Sequence, residues 1–247
     1  MKAFNALFIT ELKLSLRGMD MIIFAICMPV VLIIILGSIY GSKPAFDGAE
    51  YTFLEQSFGA AAAIALCAAG VMGLPLVISD YRHKKILKRF RVTPASPALL
   101  LLVQAVINVL YAVASLILVY ASARIFFGYR MAGSWIRFLG AYFLVMISIY
   151  SIGIMVGGIA SSTKTANLLC SVLYFPMLVF SGATLPYEIM PPPLQRVADI
   201  MPLTQGIKLL KAASLGLPAD QAFVPLLVML LLAAACIVIS IRFFKWE

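Results

Sequence analysis

The residues able to do chemistry are few in this chain, and none forms a pattern typical of a catalytic or metal site. His83 is the single histidine and lies in the basic stretch YRHKKILKRFRVTPASP, which excludes a multi-histidine metal site and a buried Ser-His-Asp triad. The four cysteines lie singly inside apolar runs, and we interpret them as packing residues: Cys27, Cys67, Cys170 and Cys236. We therefore predict no catalytic residue and no metal site.

A phosphate-binding loop is also missing from the sequence. GSIYGSK at 37–43 resembles the pattern GxxxxGK[ST] but has the wrong spacing. The centres of the apolar segments hold no ionisable residue of the kind that marks a proton or ion route. We expect the chain to bind no cofactor itself and to draw energy for uphill movement from another polypeptide. Ion coupling through backbone carbonyls and hydroxyls is the alternative.

The composition places the chain in a membrane. Of its 247 residues 63% are apolar and 12% are charged, and the mean hydropathy is +1.05. Soluble domains carry about a quarter charged residues, so much of this apolar surface is expected to face lipid. In this background the net charge of +9 favours an anionic lipid surface or an acidic protein face as partner, and not nucleic acid.

Six apolar stretches meet or approach the ~20 residues that a helix needs to cross a bilayer. They cover 21–40, 53–78, 99–127, 135–160, 165–180 and 223–243. Helices are expected because lipid offers no hydrogen-bond partners to open strand edges. The first stretch is too long for a typical signal peptide and lacks a cleavage motif, so we expect it to be retained in a chain that starts at Met1. The prediction is an all-α membrane protein with one transmembrane domain over 1–247.

The distribution of Lys and Arg predicts the orientation of the spans. Twelve of these residues fall on the side that holds both termini, and seven fall on the other side. We therefore expect a multi-pass protein with both termini in the cytoplasm. Arg124, Arg130 and Arg137 oppose this assignment, because they cluster around a loop placed outside.

The first 17 residues predict a helix that lies in the inner membrane interface. Phe4, Phe8 and Leu12 recur every four residues, and Glu11 lies among the charged residues between them. A frayed polar tail is the alternative for 1–17, and the largely apolar composition speaks against it.

The segment 182–216 is too polar to span the membrane. Apolar residues recur in it at helical spacing after three prolines, and Pro202 follows them: Leu194, Val197, Ala198 and Met201. We predict a short amphipathic helix that lies on the outer leaflet or dips into it. A simple extracellular loop is the alternative.

The basic stretch predicts a short cytoplasmic helix over 81–93 between the second and third spans. Ile86, Leu87 and Phe90 share one helical face, and basic residues cover the remainder. Pro94 disfavours helical geometry at Thr93, so the helix should end there. A positive-inside loop held by anionic lipid is the alternative.

Two motifs resemble type-2 ATP-binding-cassette (ABC) exporter permeases of the multidrug and natural-product branch. DYRHKKILKRFRVTPASPALLLLVQ resembles the cytoplasmic coupling helix and its Thr-Pro turn. SGATLPYEIMPPPLQRVADIMPLTQGIKLLKAASLG resembles the outer re-entrant hairpin before the last span. The resemblance covers essentially the whole chain. It departs at 83–85, where many relatives carry an acid and a glycine.

The resemblance implies a complex in a bacterial or archaeal plasma membrane. Two permeases, as homodimer or with a paralogue, would pair with two nucleotide-binding ATPase subunits that hold ATP and Mg²⁺. This chain would be a transport subunit and not an enzyme by itself. The implied ATPase contacts are His83, Lys84, Lys85, Ile86, Leu87, Lys88, Arg89, Phe90, Thr93 and Pro94.

Polar and flexible residues in the fifth span have two interpretations. They either line a translocation path between protomers or only pack helices: Asn167, Ser171, Tyr174, Pro176 and Gly182. A polar stripe in the third span is interpreted as packing within one protomer: Gln104, Asn108, Tyr111 and Ser115. The glycines of 153–158 are likewise assigned to packing.

The predicted function is export of an amphipathic or hydrophobic substrate such as a drug, lipid-like metabolite or peptide. A polysaccharide or glycolipid exporter of the same family is one alternative. An ion-coupled secondary transporter and a membrane-anchored assembly or sensor protein are the others.

Overall fold

A computed structural model describes residues 2–19, 21–41, 43–46, 48–86, 97–182, 187 and 190–243. Within these ranges the chain is almost entirely helical and holds no strand, apart from one isolated bridge between Pro44 and Thr52. An N-terminal helix, Lys2–Arg17, precedes the longer helices.

Six helices in the described part of the chain are long and apolar enough to cross a membrane. We number them as spans 1 to 6: Ile22–Tyr40, Phe53–His83, Pro97–Phe127, Trp135–Ile159, Thr163–Phe180 and Ala219–Phe243. The prediction of an all-α fold with six membrane-spanning helices is confirmed.

Spans 1 and 2 each contain a π-helical segment. Span 1 begins with one at Ile22–Cys27, and span 2 is interrupted by one at Ala68–Gly73. In both spans a proline, Pro29 or Pro75, lies in the first two positions of the α-helical segment that follows. Proline has no backbone N–H and cannot donate a hydrogen bond to the preceding turn. The wider π-turn therefore lies where an α-helix would lack one of its backbone hydrogen bonds.

Span 2 is the centre of the bundle. In its most apolar window 78% of the residues are buried, against 22% in spans 1, 5 and 6. Its alanine-rich first half allows close contact with spans 1, 3 and 4. Spans 1, 5 and 6 consequently present most of their apolar side chains to the outside of the chain.

Spans 2 and 4 approach so closely that only glycine fits between them. A Cβ atom on Gly153 would lie 1.9 Å from the carbonyl oxygen of Gly70, and one on Gly157 would lie 3.0 Å from Pro75 and Ile78. The packing role predicted for the glycines of 153–158 agrees with these contacts.

The predicted cytoplasmic helix over 81–93 is wrong at its beginning. Span 2 continues past the predicted end at 78, and its last turn includes Tyr81 and His83. The helix then stops at Lys84, and Lys85 has a left-handed φ of 56° before Ile86 is helical again. Left-handed geometry breaks an α-helix, so one continuous helix from 81 is excluded. The part of the prediction over 87–93 lies outside the described residues.

The hairpin between spans 5 and 6 contains two helices where the sequence predicted one. The first, Pro192–Ile200, carries the amphipathic pattern, and the second is Pro202–Leu215. Pro202 both ends the first helix and begins the second, since its fixed φ suits a first turn. The second helix is buried against spans 2, 4 and 6, and Gly216 with φ 69° ends it.

Candidate functional site

The N-terminal helix packs on span 3 through the apolar face predicted from the sequence. Its contacts there are made by four residues that surround a small buried cluster on span 3: Phe4, Leu7, Phe8 and Leu12. The rings of Phe4 and Phe8 stack with centroids 6.1 Å apart. The cluster on span 3 consists of Val103, Ile107 and Tyr111.

Glu11 connects this helix to spans 2 and 3 by hydrogen bonds. The Tyr81 hydroxyl donates to Oε2 of Glu11. Gln104 Nε2 lies 2.8 Å from that same carboxylate oxygen and 2.8 Å from the Tyr81 hydroxyl. Bonds to an ionised carboxylate are stronger than neutral ones, and the shared acceptor makes the three side chains one network. The network therefore holds the end of span 2 against the N-terminal helix.

Arg82 holds the same end of span 2 to span 4. Its Nη1 donates to the carbonyl oxygens of Gly157 at 3.0 Å and Ala160 at 2.6 Å. These carbonyls belong to the end of span 4, where backbone acceptors lack partners within the helix. A cation there is also favourably placed in the helix dipole. Arg82 is buried, with 9% of its surface exposed, so this contact is internal to the chain.

The predicted ATPase-contact residues begin directly after this anchored turn. His83, Lys84 and Lys85 are exposed, and Ile86 is half-buried. Lys84 forms an ion pair with Asp80 at 2.7 Å, one turn earlier in span 2. The remaining members of the predicted set lie outside the described residues: Leu87, Lys88, Arg89, Phe90, Thr93 and Pro94.

The polar stripe of span 3 makes contacts inside the chain. Tyr111 accepts from Ser15 of the N-terminal helix at 3.0 Å, and the carbonyl of Asn108 accepts from Tyr150 of span 4 at 3.0 Å. Ser115 is fully buried. These contacts agree with the interpretation of the stripe as packing within one protomer.

The fifth-span residues proposed for a translocation path do not converge on one surface. Asn167 is exposed, Ser171 is half-buried, and Tyr174 is buried among spans of the same chain. Pro176 lies inside span 5 and is half-buried. Gly182 follows the span with φ 82° and lines a cavity at the opposite end of the molecule from the N-terminal helix.

Sequence reasoning missed Tyr81 and Arg82 as anchoring residues. From the sequence, both are placed in the predicted cytoplasmic helix over 81–93, because charge dominates that stretch, and Gln104 is placed in the polar stripe of span 3. The sequence signal was the amphipathic continuation of span 2 through Leu74–His83, which places Tyr81 and Arg82 at successive positions facing different neighbours.

Comparison with known proteins assigns the chain to a family. The ABC-2 type transporter family model matches residues 2–215. The chain is also similar to Nodulation protein J from Neorhizobium galegae, with 33% identity over 101 residues. That alignment covers 41% of this chain and 36% of the relative, so it spans about a third of the relative's length. Because the family model covers the N-terminal helix, spans 1 to 5 and both hairpin helices, this chain belongs to the ABC-2 type transporter family.

Proposed function

We propose that this chain is the permease subunit of an ATP-driven exporter whose ATPase is a separate polypeptide. Membership of the ABC-2 type transporter family supports the permease role. The proposal that ATP hydrolysis is coupled to movement of this chain rests on one observation, the anchoring of the last turn of span 2 to its neighbours. Tyr81 ties it to Glu11, and Arg82 ties it to the end of span 4.

The segment that follows this turn, residues 83–94, is the proposed contact through which the ATPase moves the permease. A nucleotide-binding subunit with ATP and Mg²⁺ would bind residues 83–94, with Ile86, Leu87 and Phe90 in an apolar cleft and the basic residues orienting the contact. Since span 2 contacts spans 1, 3, 4 and 5, displacement of its end would move much of the bundle. Glu11 makes the N-terminal helix part of the moving unit.

The proposed complex contains two permeases in a bacterial or archaeal plasma membrane, with both termini cytoplasmic. Spans 1 and 5 offer exposed apolar faces to lipid or to a second copy of the chain or a paralogue. Asn167 and Ser171 are the residues of span 5 that we propose face a path between protomers. Span 5 carries one charged residue, Lys164 in its first turn, and this low charge supports an amphipathic or hydrophobic substrate.

Co-purification with a candidate ATPase tests the coupling role. The tagged chain is co-expressed with a candidate nucleotide-binding ATPase subunit, and the ATPase recovered with the tagged chain is measured. Leu87→Asp and Phe90→Asp should each reduce recovery by about tenfold, since ~1.4 kcal/mol of lost contact energy has that effect.

The matched control is Val197→Asp, the same chemical change on the exposed side of the first hairpin helix at the other end of the molecule. It should leave recovery unchanged. Undiminished ATPase recovery with both Leu87→Asp and Phe90→Asp, in chains that insert normally, contradicts the coupling role. ATP-independent uphill transport by the purified chain alone would instead support the ion-coupled alternative.

A further inference from the structure

A cavity of about 490 Å³ lies at the hairpin end of the molecule, which holds the loop residues 43–46 and 48–52 and the hairpin helices. It is bounded by that loop, the beginning of span 2, the end of span 5 and the second hairpin helix. Its volume falls within the ~300–1,000 Å³ typical of small-molecule sites. The cavity lies within one copy of the chain, at the opposite end of span 2 from the proposed ATPase contact.

Two lysines of the second hairpin helix lie against aromatic rings in this cavity. Nζ of Lys211 is 4.9 Å from the centre of the Tyr51 ring, and Nζ of Lys208 is 3.8 Å from the centre of the Tyr187 ring. Lys208 also pairs with Asp199 at 2.6 Å. Lys211 lies deeper, with 9% of its surface exposed. The ammonium group of Lys211 is thus held where water has limited access, which strengthens its interaction with a charged ligand.

The rest of the lining suits the body of an organic ligand. Phe46 and Tyr51 meet edge to face with centroids 5.9 Å apart, and Phe53 lies beside them in the wall. Gln56 and Thr204 add an amide and a hydroxyl. Among the described residues that line the cavity there are two lysines and no carboxylate. Ligand sites commonly combine such apolar walls with a few placed polar groups.

We propose that this cavity binds an organic anion, a carboxylate or phosphate attached to an apolar body, with Lys211 as the main charge contact. The aromatic residues would hold the apolar body, and Gln56 and Thr204 would offer hydrogen bonds at the wall. The ligand is either a small organic acid or the headgroup of an anionic lipid, since both present the same chemistry. The site is independent of the proposed coupling to an ATPase, so either proposal can fail without the other.

Calorimetric titration of the purified full chain in phosphatidylcholine nanodiscs tests the site. The probes are 2-naphthoate, which has a ring and a negative charge, 2-naphthamide, which has the ring alone, and inorganic phosphate, which has the charge alone. We expect 2-naphthoate to bind about tenfold more tightly than either of the others, because only it uses both parts of the cavity.

Substitutions assign the binding to the cavity. Lys211→Gln should weaken 2-naphthoate binding by about tenfold, and Lys211→Arg should retain most of it because the charge is kept. The matched control is Lys164→Gln, which removes an exposed lysine at the opposite end of the molecule and should change nothing. Tyr51→Leu should weaken 2-naphthoate binding without removing a charge. It provides the test of the cavity if the Lys211→Gln variant does not fold.

The proposal is overturned if 2-naphthoate does not bind, if 2-naphthamide binds equally well, or if Lys211→Gln and Tyr51→Leu leave its affinity unchanged. Nanodiscs that contain phosphatidylglycerol distinguish the two sources of ligand. If that lipid weakens 2-naphthoate binding severalfold in wild type but not in Lys211→Gln, the lipid headgroup is the occupant. If it has no effect, the occupant is a small organic acid.

Discussion

Tyr81 and Arg82 are neighbours in the chain, yet their side chains bind different parts of the bundle. The Tyr81 hydroxyl donates to Glu11 of the N-terminal helix, and the Arg82 guanidinium donates to Gly157 and Ala160 at the end of span 4. Two successive helical residues project about 100° apart, so one turn of span 2 reaches both partners. The end of span 2 is therefore held from two directions directly before the segment proposed to meet the ATPase.

The hydrogen bond between Tyr81 and Glu11 should contribute measurably to stability. Tyr81→Phe removes the donor while keeping the ring, and we expect it to lower the free energy of unfolding by about 1–3 kcal/mol. Glu11→Gln should have a similar cost. Because Tyr81→Phe removes the donor and Glu11→Gln leaves a weaker, neutral acceptor for the same bond, the double variant should cost clearly less than the sum of the two. Denaturation in detergent measures these values.

Tyr40→Phe is the control for this pair of substitutions, because Tyr40 is an exposed tyrosine at the end of span 1 that lies far from the N-terminal helix. Strict additivity of Tyr81→Phe and Glu11→Gln would show that the two side chains do not interact. In the proposed complex with an ATPase subunit, the same two variants should also reduce the ATPase activity stimulated by substrate, while Tyr40→Phe should not.

Arg82 should be needed for the packing of span 4 against span 2. Arg82→Gln removes a charged donor from two carbonyls at a buried helix end, with an expected loss of about 2–3 kcal/mol. The readout is the thermal unfolding midpoint of the purified chain. Arg242→Gln, at the exposed end of span 6, provides the comparison and should shift the midpoint little. Equal shifts for the two variants would contradict the capping role of Arg82.

The contact between spans 2 and 4 requires glycine at one position of span 4 and not at another. Gly153→Ala places a Cβ atom 1.9 Å from the Gly70 carbonyl oxygen, which forces the helices apart. Overpacking of this kind costs about 1–3 kcal/mol. Gly140→Ala is a matched control in the same helix, since a Cβ there has no neighbour within 4 Å. Gly140→Ala should be neutral or slightly stabilising, and yields of folded protein from the two variants compare them directly.

Removal of the Tyr129 hydroxyl should stabilise the protein. The ring lies 4.7 Å from that of Phe58, and the buried hydroxyl has no hydrogen-bond partner among the described residues. Tyr129→Phe keeps the ring packing and removes an unsatisfied group, with an expected gain of about 1 kcal/mol. Denaturation at neutral pH measures this gain, and a loss of stability would indicate a partner for the hydroxyl.

Alkaline pH should enlarge the advantage of Tyr129→Phe. Burial raises the pKa of the Tyr129 phenol above its ordinary value, and Glu55 and Tyr120 add to the shift. Above the unfolded-state pKa of about 10, the phenol loses its proton more readily in the unfolded chain than in the folded one. The free energy of unfolding of the wild type is therefore unaffected by ionisation of Tyr129 below that pH and falls as pH rises above it. The variant lacks this decline, so its advantage should be larger at pH 11 than at pH 7, as equilibrium unfolding at the two values will show.

The membrane spans and two of the other helices could be predicted from the sequence, because each depends only on residues close together in the chain. A run of about 20 apolar residues needs a bilayer whatever it later contacts, so the number of spans and their approximate bounds were predictable. The same holds for the helix that carries Phe4, Phe8 and Leu12, whose four-residue spacing already indicates one apolar face. The spacing of Leu194 and Val197 similarly predicted the first hairpin helix.

The sites depended on contacts between residues far apart in the chain, which only the tertiary structure decided. Glu11 and Tyr81 are separated by 70 positions, and no local pattern indicates that a carboxylate and a phenol so distant will share a hydrogen bond. The sequence predicts no helix between Pro202 and the last span, but Pro202–Leu215 is helical, and its burial against spans 2, 4 and 6 places Lys211 beside Tyr51 in a cavity. Hydrophobicity over a short window determines which segments leave water, whereas pairing between those segments determines which polar side chains meet.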